Sequence, residues 1–337
     1  MSTYSEDDLI EALRRLLHEE APGVVLGPGD DAALVQLGSH LTVLTTDLLV
    51  EDVHFRRDTI SPRDLGYKAL VVNVSDVAAM GGSPRYAMVG LGLPPGTPMS
   101  WVVELFGGLR EAASEYAVSV VGGDTSRSER VVVSVALAGE VAQDFAVRRS
   151  GARPGDRVAV TGTLGAAAGG LLLSERRQEE AVARVFGAPW ARQLLAAHAR
   201  PVARVGEGQT LAGAGATAMM DLSDGLAKDL GRLCRESGVG AAVFLSQVPV
   251  APALGRLREA LPEVDPLELA LSGGEDYELL ATLAPKDVER AAKLLEERFG
   301  TALTEVGEVR SGSGLVAVEA DGRERPLHPE GWDHFER

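Results

Sequence analysis

Two periodicities alternate along this chain. Where apolar residues return every three or four positions the spacing predicts helices, and where they alternate with polar ones, or run unbroken over a short stretch, it predicts strands. Leu9, Ile10, Leu13, Leu16 and Leu17 follow Ser5 and the acidic Glu6, Asp7 and Asp8, which predicts a helix stopping before Pro22-Gly23. Residues 32–37 and 41–46 read as a hairpin around Gly38-Ser39-His40. Ser61-Pro62 opens a helix through Leu65, Leu70, Val74 and Val77 that ends near Gly81-Gly82. A strand over 85–93, a helix over 101–116, a short buried strand over 118–121 entering a Gly122-Gly123 turn, and a long strand over 131–141 follow.

A turn-rich stretch, 149–156, marks a boundary. Beyond it the pattern predicts a strand over 157–161, a glycine turn over 162–165 into a helix, a helix over 183–198, and another opened by Pro201. The apolar run 216–220 leads to a helix holding Leu230, Leu233 and Cys234. Ser272-Gly273-Gly274 turns into a strand over 278–283, and a helix over 285–298 precedes a strand near 303–309. This mixture predicts an α/β (α+β) chain, and 337 residues suit two domains, 1–145 and 146–337, better than one core.

Composition narrows the class. The net charge of −16 disfavours nucleic acid and anionic membrane surfaces, both of which require clustered Lys and Arg. It leaves room for small phosphorylated ligands, because divalent cations held by carboxylates can carry the positive charge. No apolar run is long enough to cross a bilayer, and residues 1–8 lack a signal peptide's basic and apolar regions. With a single cysteine, Cys234, there is no intrachain disulfide or zinc knuckle, and a cytoplasmic protein is expected.

The acids are placed where chain turns. Asp30-Asp31 follows Gly27-Pro28-Gly29, and the hairpin brings Asp31 and Asp47 to the same end. Paired carboxylates repel unless a cation or proton sits between them, although an acidic hairpin end is often only solvated. Asn73, Ser75 and Asp76 form a polar cluster within an apolar helix, so Asp76 is expected to meet metal, a backbone donor or a basic partner, metal being favoured by its company. Gly122-Gly123-Asp124 lets backbone N–H groups approach an anion while Asp124 holds a bridging cation. Asp221 and Asp224 bracket a strand-to-helix turn, as cation ligands or, alternatively, with Ser223 or Asp224 as a plain N-cap. A calcium loop is excluded, since the ligands do not continue at alternate positions. None of the four lysines follows a glycine, so there is no Walker-type loop, and no His-Arg-Asp loop or nucleophile elbow occurs.

Read together, Gly29-Asp30-Asp31-Ala32, Thr45-Thr46-Asp47, His54-Phe55, Tyr67-Lys68-Ala69-Leu70 with Asn73 and Ser75-Asp76, Gly122-Gly123-Asp124-Thr125, Arg149-Ser150-Gly151, Asp221-Leu222-Ser223-Asp224-Gly225, Ser272-Gly273-Gly274-Glu275-Asp276-Tyr277 and Gly331-Trp332-Asp333-His334-Phe335 resemble the thiamine-monophosphate kinase family. That family is a branch of a superfamily with aminoimidazole ribonucleotide synthetase, selenophosphate synthetase and the hydrogenase-maturation carbamoyl dehydratase. The resemblance implies an N-terminal ATP- and metal-binding domain whose strands join a second subunit in a homodimeric β-barrel, and a C-terminal α+β domain. It implies phosphorylation of thiamine monophosphate by ATP, in line and without a phospho-enzyme, assisted by several Mg2+ ions. Asp31, Thr45, Thr46, Asp47, Asp76, Asp124, Asp221 and Asp224 would hold the metals, with Asp47, Asp124 and Asp221 central to catalysis. Gly123, Asp124, Arg149 and Ser223, with Phe106 nearby, would meet ATP; His54, Glu275 and Trp332 would meet the thiamine moiety. Two alternatives stand beside this reading: another ATP-using enzyme of the superfamily, and a non-catalytic acidic metal- or nucleotide-binding protein.

Overall fold

The computed structural model describes residues 6–16, 22–328 and 331, so Trp332 lies outside the described residues. The first half contains α1 (Glu6–Leu16), β1 (Val24–Leu26), β2 (Ala33–Leu37), β3 (His40–Val50), α2 (Pro62–Ala79), β4 (Ser83–Leu93), α3 (Met99–Glu115), β5 (Ser119–Arg127) and β6 (Val132–Val141). Its strands form a six-stranded sheet in the order β1-β2-β3-β6-β4-β5, antiparallel except for the β4–β5 pair. The second half contains β7 (Arg157–Thr161), α4 (Ala166–Glu175), α5 (Glu180–Val185), α6 (Pro189–Ala199), α7 (Val205–Ala214), β8 (Ala216–Asp221), α8 (Leu226–Ser237), β9 (Gly240–Phe244), α9 (Pro252–Ala260), α10 (Pro266–Ser272), β10 (Leu279–Leu283), α11 (Pro285–Phe299), β11 (Leu303–Arg310), β12 (Gly314–Val318) and β13 (Glu324–Leu327). The seven-stranded sheet there runs β13-β12-β9-β11-β7-β10-β8. Both sheets are open: within one chain neither closes into a barrel.

The two halves meet around α2. Ser61 caps it, its hydroxyl accepting from the Asp64 amide, and Pro62 occupies the first turn. Nearly every later residue of the helix is buried, which an apolar circumference requires. One side packs on β3, β6, β4 and α3, the other on α7 and β8. Ala79 and Val147 share a core with Ala159, Leu211 and Met219 of the second half, so apolar packing is continuous across the junction.

Three local expectations are corrected. The helix expected over 183–198 is two helices, α5 and α6, because Pro189 lacks the amide needed to continue and instead starts the second. Pro201 does not open a helix: α7 starts at Val205, and Arg204 just before it reaches Glu278, Nη2 to Oε1 at 2.5 Å. The short buried strand ending in a Gly122-Gly123 turn is instead an exposed edge strand, since β5 runs through the glycines to Arg127. A Cβ on Gly123 would collide with the Val89 carbonyl of β4, so the glycine serves close approach of two strands.

Candidate active site

The polar residues of α2 hold the acids of both halves. Thr45 and Asp47 lie on the α2-facing side of β3, alternating with the outward-facing Leu44, Thr46 and Leu48. The Thr45 hydroxyl donates to Asp76 Oδ2 at 2.5 Å, the Asp47 amide to Asn73 Oδ1 at 3.1 Å, and the Ser75 hydroxyl to Asp221 Oδ2 at 2.6 Å. Asn73 is fixed by its own bond to the Ala69 carbonyl at 3.1 Å. The Thr46 hydroxyl is bonded to the Val135 carbonyl at 3.1 Å.

Asp31, Asp76 and Asp221, from three separate elements, each place a carboxylate oxygen within 4.8 Å of the others. Burial is the largest influence on each, raising all three, and mutual repulsion adds to it at Asp76 and Asp221. Asp47, whose carboxyl meets that of Asp76, is raised by burial to about 6. Asp30 is pushed to about 7 by burial and by Asp31. The cation facing them is Arg149, whose Nη2 lies 2.5 Å from Asp31 Oδ1 while its amide donates to Asp30 Oδ2 at 3.0 Å. Asp31 Oδ2 is buried without a hydrogen-bond partner. Hard oxygen donors crowded in this way, with one left unsatisfied, fit a divalent cation.

On the other wall, Ser223 and Asp224 join β8 to α8. Gly225 is the N-cap of α8 without a side-chain bond, and Asp229 Oδ2 instead accepts from the Asp224 and Gly225 amides at 3.0 and 3.2 Å. Neither Ser223 nor Asp224 is thus the capping group. The Asp224 carboxylate is bonded to Arg232 and stands 3.4 Å from Lys228 Nζ.

Between these walls opens a cleft of about 1630 Å³ lined by Asp31, Thr45, Thr46, Asp47, Asp76, Arg149, Asp221, Ser223, Asp224, His54 and Glu275. His54 Nδ1 accepts from the Val50 amide at 3.0 Å. Glu275 stands on the turn after α10, its amide donating to the Ser223 carbonyl at 2.8 Å. Burial would raise its carboxyl, but Lys68 and His198 hold it down at about 2.

Gly123, Asp124 and Phe106 are not brought here. Asp47 pairs with Val135, Val135 with Val89 and Val89 with Gly123, so Asp124 sits three strands from Asp47, about 14 Å away at ~4.8 Å per strand. Asp124 is exposed on the edge strand, and Phe106 is exposed on α3.

Sequence reasoning assigned no role to Asp30, Lys68, Asn73, Ser75 or His198. Four of these carried a signal: Asp30 adjoins Asp31, and polar residues inside an otherwise apolar helix need partners. His198, on an amphipathic helix far from any motif, carried none.

Known proteins resemble this chain over its whole length. The family model of the AIR synthase related protein, N-terminal domain, matches residues 29–141, and that of the C-terminal domain matches 153–319. "Thiamine-monophosphate kinase" of Aquifex aeolicus (strain VF5) is 39% identical over 337 residues, spanning 99% of each chain. The protein of the same name from Escherichia coli O157:H7 is 38% identical over 313 residues, 93% of this chain and 92% of its own. The solved structure of AaThiL complexed with AMPPCP and TMP aligns with a TM-score of 0.84 at 37% identity, covering 98% of this chain and 97% of its own.

Proposed function

We infer the activity of this chain from its family, since it belongs to the thiamine-monophosphate kinases of the AIR-synthase-related proteins: it transfers the γ-phosphoryl group of ATP to the phosphate of thiamine monophosphate, giving thiamine diphosphate and ADP. The observation that carries this reading is the convergence of Asp31, Asp76 and Asp221 within 4.8 Å beside Asp47. The cleft, at about 1630 Å³, exceeds the ~300–1,000 Å³ of a site for one small ligand and suits two. AaThiL was solved with AMPPCP and TMP, two ligands in one structure, which supports the same reading.

Asp31, Thr45, Asp47, Asp76 and Asp221 would hold magnesium on one wall and Asp224 on the other, with Thr46, whose hydroxyl is turned to the Val135 carbonyl, contributing through its main chain. Bound there, magnesium would neutralise the two phosphate chains and favour in-line displacement. The chain's own residues supply position. Arg149 and Ser223 orient the nucleotide, and His54 and Glu275 the thiamine moiety. The acceptor oxygen belongs to a phosphate monoester whose second pKa is near 6, so no residue has to act as general base and transfer is direct.

Residues 1–145 form the ATP- and metal-binding domain and 146–337 the C-terminal domain, and the enzyme works in the cytoplasm as a homodimer. The dimer is supported by the outer face of the first sheet, where Leu44, Leu48, Tyr86, Met88 and Val121 are all more than 40% exposed. It also gives Gly123, Asp124 and Phe106 a place, at the cleft of the second copy. Incubation of the purified protein with ATP, Mg2+ and thiamine monophosphate tests the reading: thiamine diphosphate appears in step with ADP, whereas nucleotide binding without diphosphate formation overturns it.

A further inference from the structure

Lys68 lies in the middle of α2 and is 1% exposed, the largest of the fully buried side chains among the described residues. A buried ammonium costs several kcal/mol unless paired and hydrogen-bonded. Its partners are both in the other half of the molecule. Nζ lies 2.7 Å from Glu275 Oε1 and donates to the His198 carbonyl at 3.0 Å. His198 Nδ1 in turn lies 2.8 Å from Glu275 Oε2 without the alignment of a hydrogen bond, so Lys68 holds one carboxylate oxygen and the imidazole flanks the other from behind. The backbone is held too: Glu275 and Tyr277 have φ of 69° and 50°, unusual for residues other than glycine, and their amides donate to the Ser223 and Leu222 carbonyls at 2.8 and 2.9 Å. The Glu275 side chain is nevertheless 26% exposed, at the cleft.

A carboxylate fixed so thoroughly, open on one side, is suited to receive a cationic, amine-bearing ring. We propose that Lys68, assisted by His198, is a positioning residue for substrate recognition: it holds the Glu275 carboxylate charged and aimed into the cleft, where that carboxylate meets the heterocyclic end of the acceptor rather than the nucleotide. This rests on the reading of the acceptor as thiamine monophosphate. The titratable groups facing Glu275 are Lys68 from α2, His198 from α6, and its chain neighbours Asp276 and Tyr277.

Steady-state kinetics of Lys68→Met between pH 7 and 9 test this. A charge-assisted contact is worth about tenfold or more, so KM for thiamine monophosphate rises at least about tenfold at pH 7 while KM for ATP stays within about threefold. A buried carboxylate without its counter-cation titrates near neutrality, so the raised KM recovers toward that of the parent as pH increases. The double variant Lys68→Met/Glu275→Gln keeps the raised KM and loses the recovery. If Lys68→Met does not fold, His198→Gln replaces it, with a smaller rise that recovers in the same direction. A KM for thiamine monophosphate that is unchanged, or that rises together with KM for ATP and ignores pH, overturns the proposal. A parent protein that does not turn over thiamine monophosphate sinks the functional reading instead.

Discussion

The hydroxyl of Ser75 donates to Oδ2 of Asp221 at 2.6 Å across 146 positions of sequence. One residue belongs to the central helix of the first half and the other ends a strand of the second, so this bond fixes one acid of the cluster relative to the rest. Ser75→Ala leaves a buried carboxylate short of a donor, at a cost of about 1–3 kcal/mol. It also removes a group that orients a metal ligand, a change that typically weakens metal binding about 10- to 100-fold. The urea midpoint of the metal-free variant is expected to fall, and calorimetric titration with Mg2+ to show the weaker affinity. Unchanged Mg2+ binding would mean that Asp221 is oriented by other contacts.

Asp47→Asn separates folding from function. Asp47 is pushed to about 6 by burial, and its carboxyl meets that of Asp76, so the amide relieves repulsion in the metal-free protein. Its thermal midpoint without Mg2+ should equal or exceed that of the parent. Added Mg2+ stabilises a native state that binds it, and the rise in midpoint should be smaller in the variant. Turnover is expected to drop at least about 10²-fold, as when one electrostatic stabiliser is removed. Undiminished turnover would remove Asp47 from the site.

Much of this was legible because acids at strand ends announce themselves. Asp31, Asp47, Asp76 and Asp221 each interrupt or end an apolar run, where an unpartnered charge would be costly, and all four line the cleft. Asp124 shows where that logic stops. Its glycines read as a turn, but the structure continues the strand because Gly123 must pass close to Val89, a fact of strand pairing that local composition does not encode. Long-range pairing is a second limit: Arg149 was expected at the nucleotide but not on Asp31, and His198 was not expected at all. Their partners, Asp31 and Glu275, lie 118 and 77 positions away, and only the packing of two halves brings them together.

Glu275 carries a stability signature on the acid side. Burial would raise its carboxyl above the ordinary 4.5, yet the Lys68 ammonium first and His198 next hold it at about 2. Between these values the unfolded chain binds the proton more readily than the folded one. The stabilisation is therefore fully present above pH ~4.5 and is lost as pH falls towards 2, on the order of 3 kcal/mol in all. Urea unfolding of Glu275→Gln from pH 5 to 2.5 should show a shallower decline than the parent. Parallel declines would show that the ion pair contributes no net acid sensitivity.

The open face of the first sheet supplies the last test. Met88 on β4 and Val121 on β5, the edge strand exposed along its whole length, are 55% and 60% exposed. A two-fold interface is built from the same patch on both copies, so a charge introduced on this face is buried twice, once from each copy, against apolar partners. Met88→Glu/Val121→Glu is expected to sediment as a folded monomer where the parent sediments as a dimer. If Asp124 completes the second copy's cleft, that monomer is inactive although each acid cluster is intact. Asp47→Asn and Asp124→Asn homodimers are then inactive separately. Mixed and exchanged, they form heterodimers in which one cleft has both aspartates, one from each chain, and activity returns to about a quarter of the parent's by random pairing of equal amounts. No recovery from a mixture shown to contain heterodimers would place Asp124 in the cleft of its own chain, and an active Asp124→Asn homodimer would place it in neither.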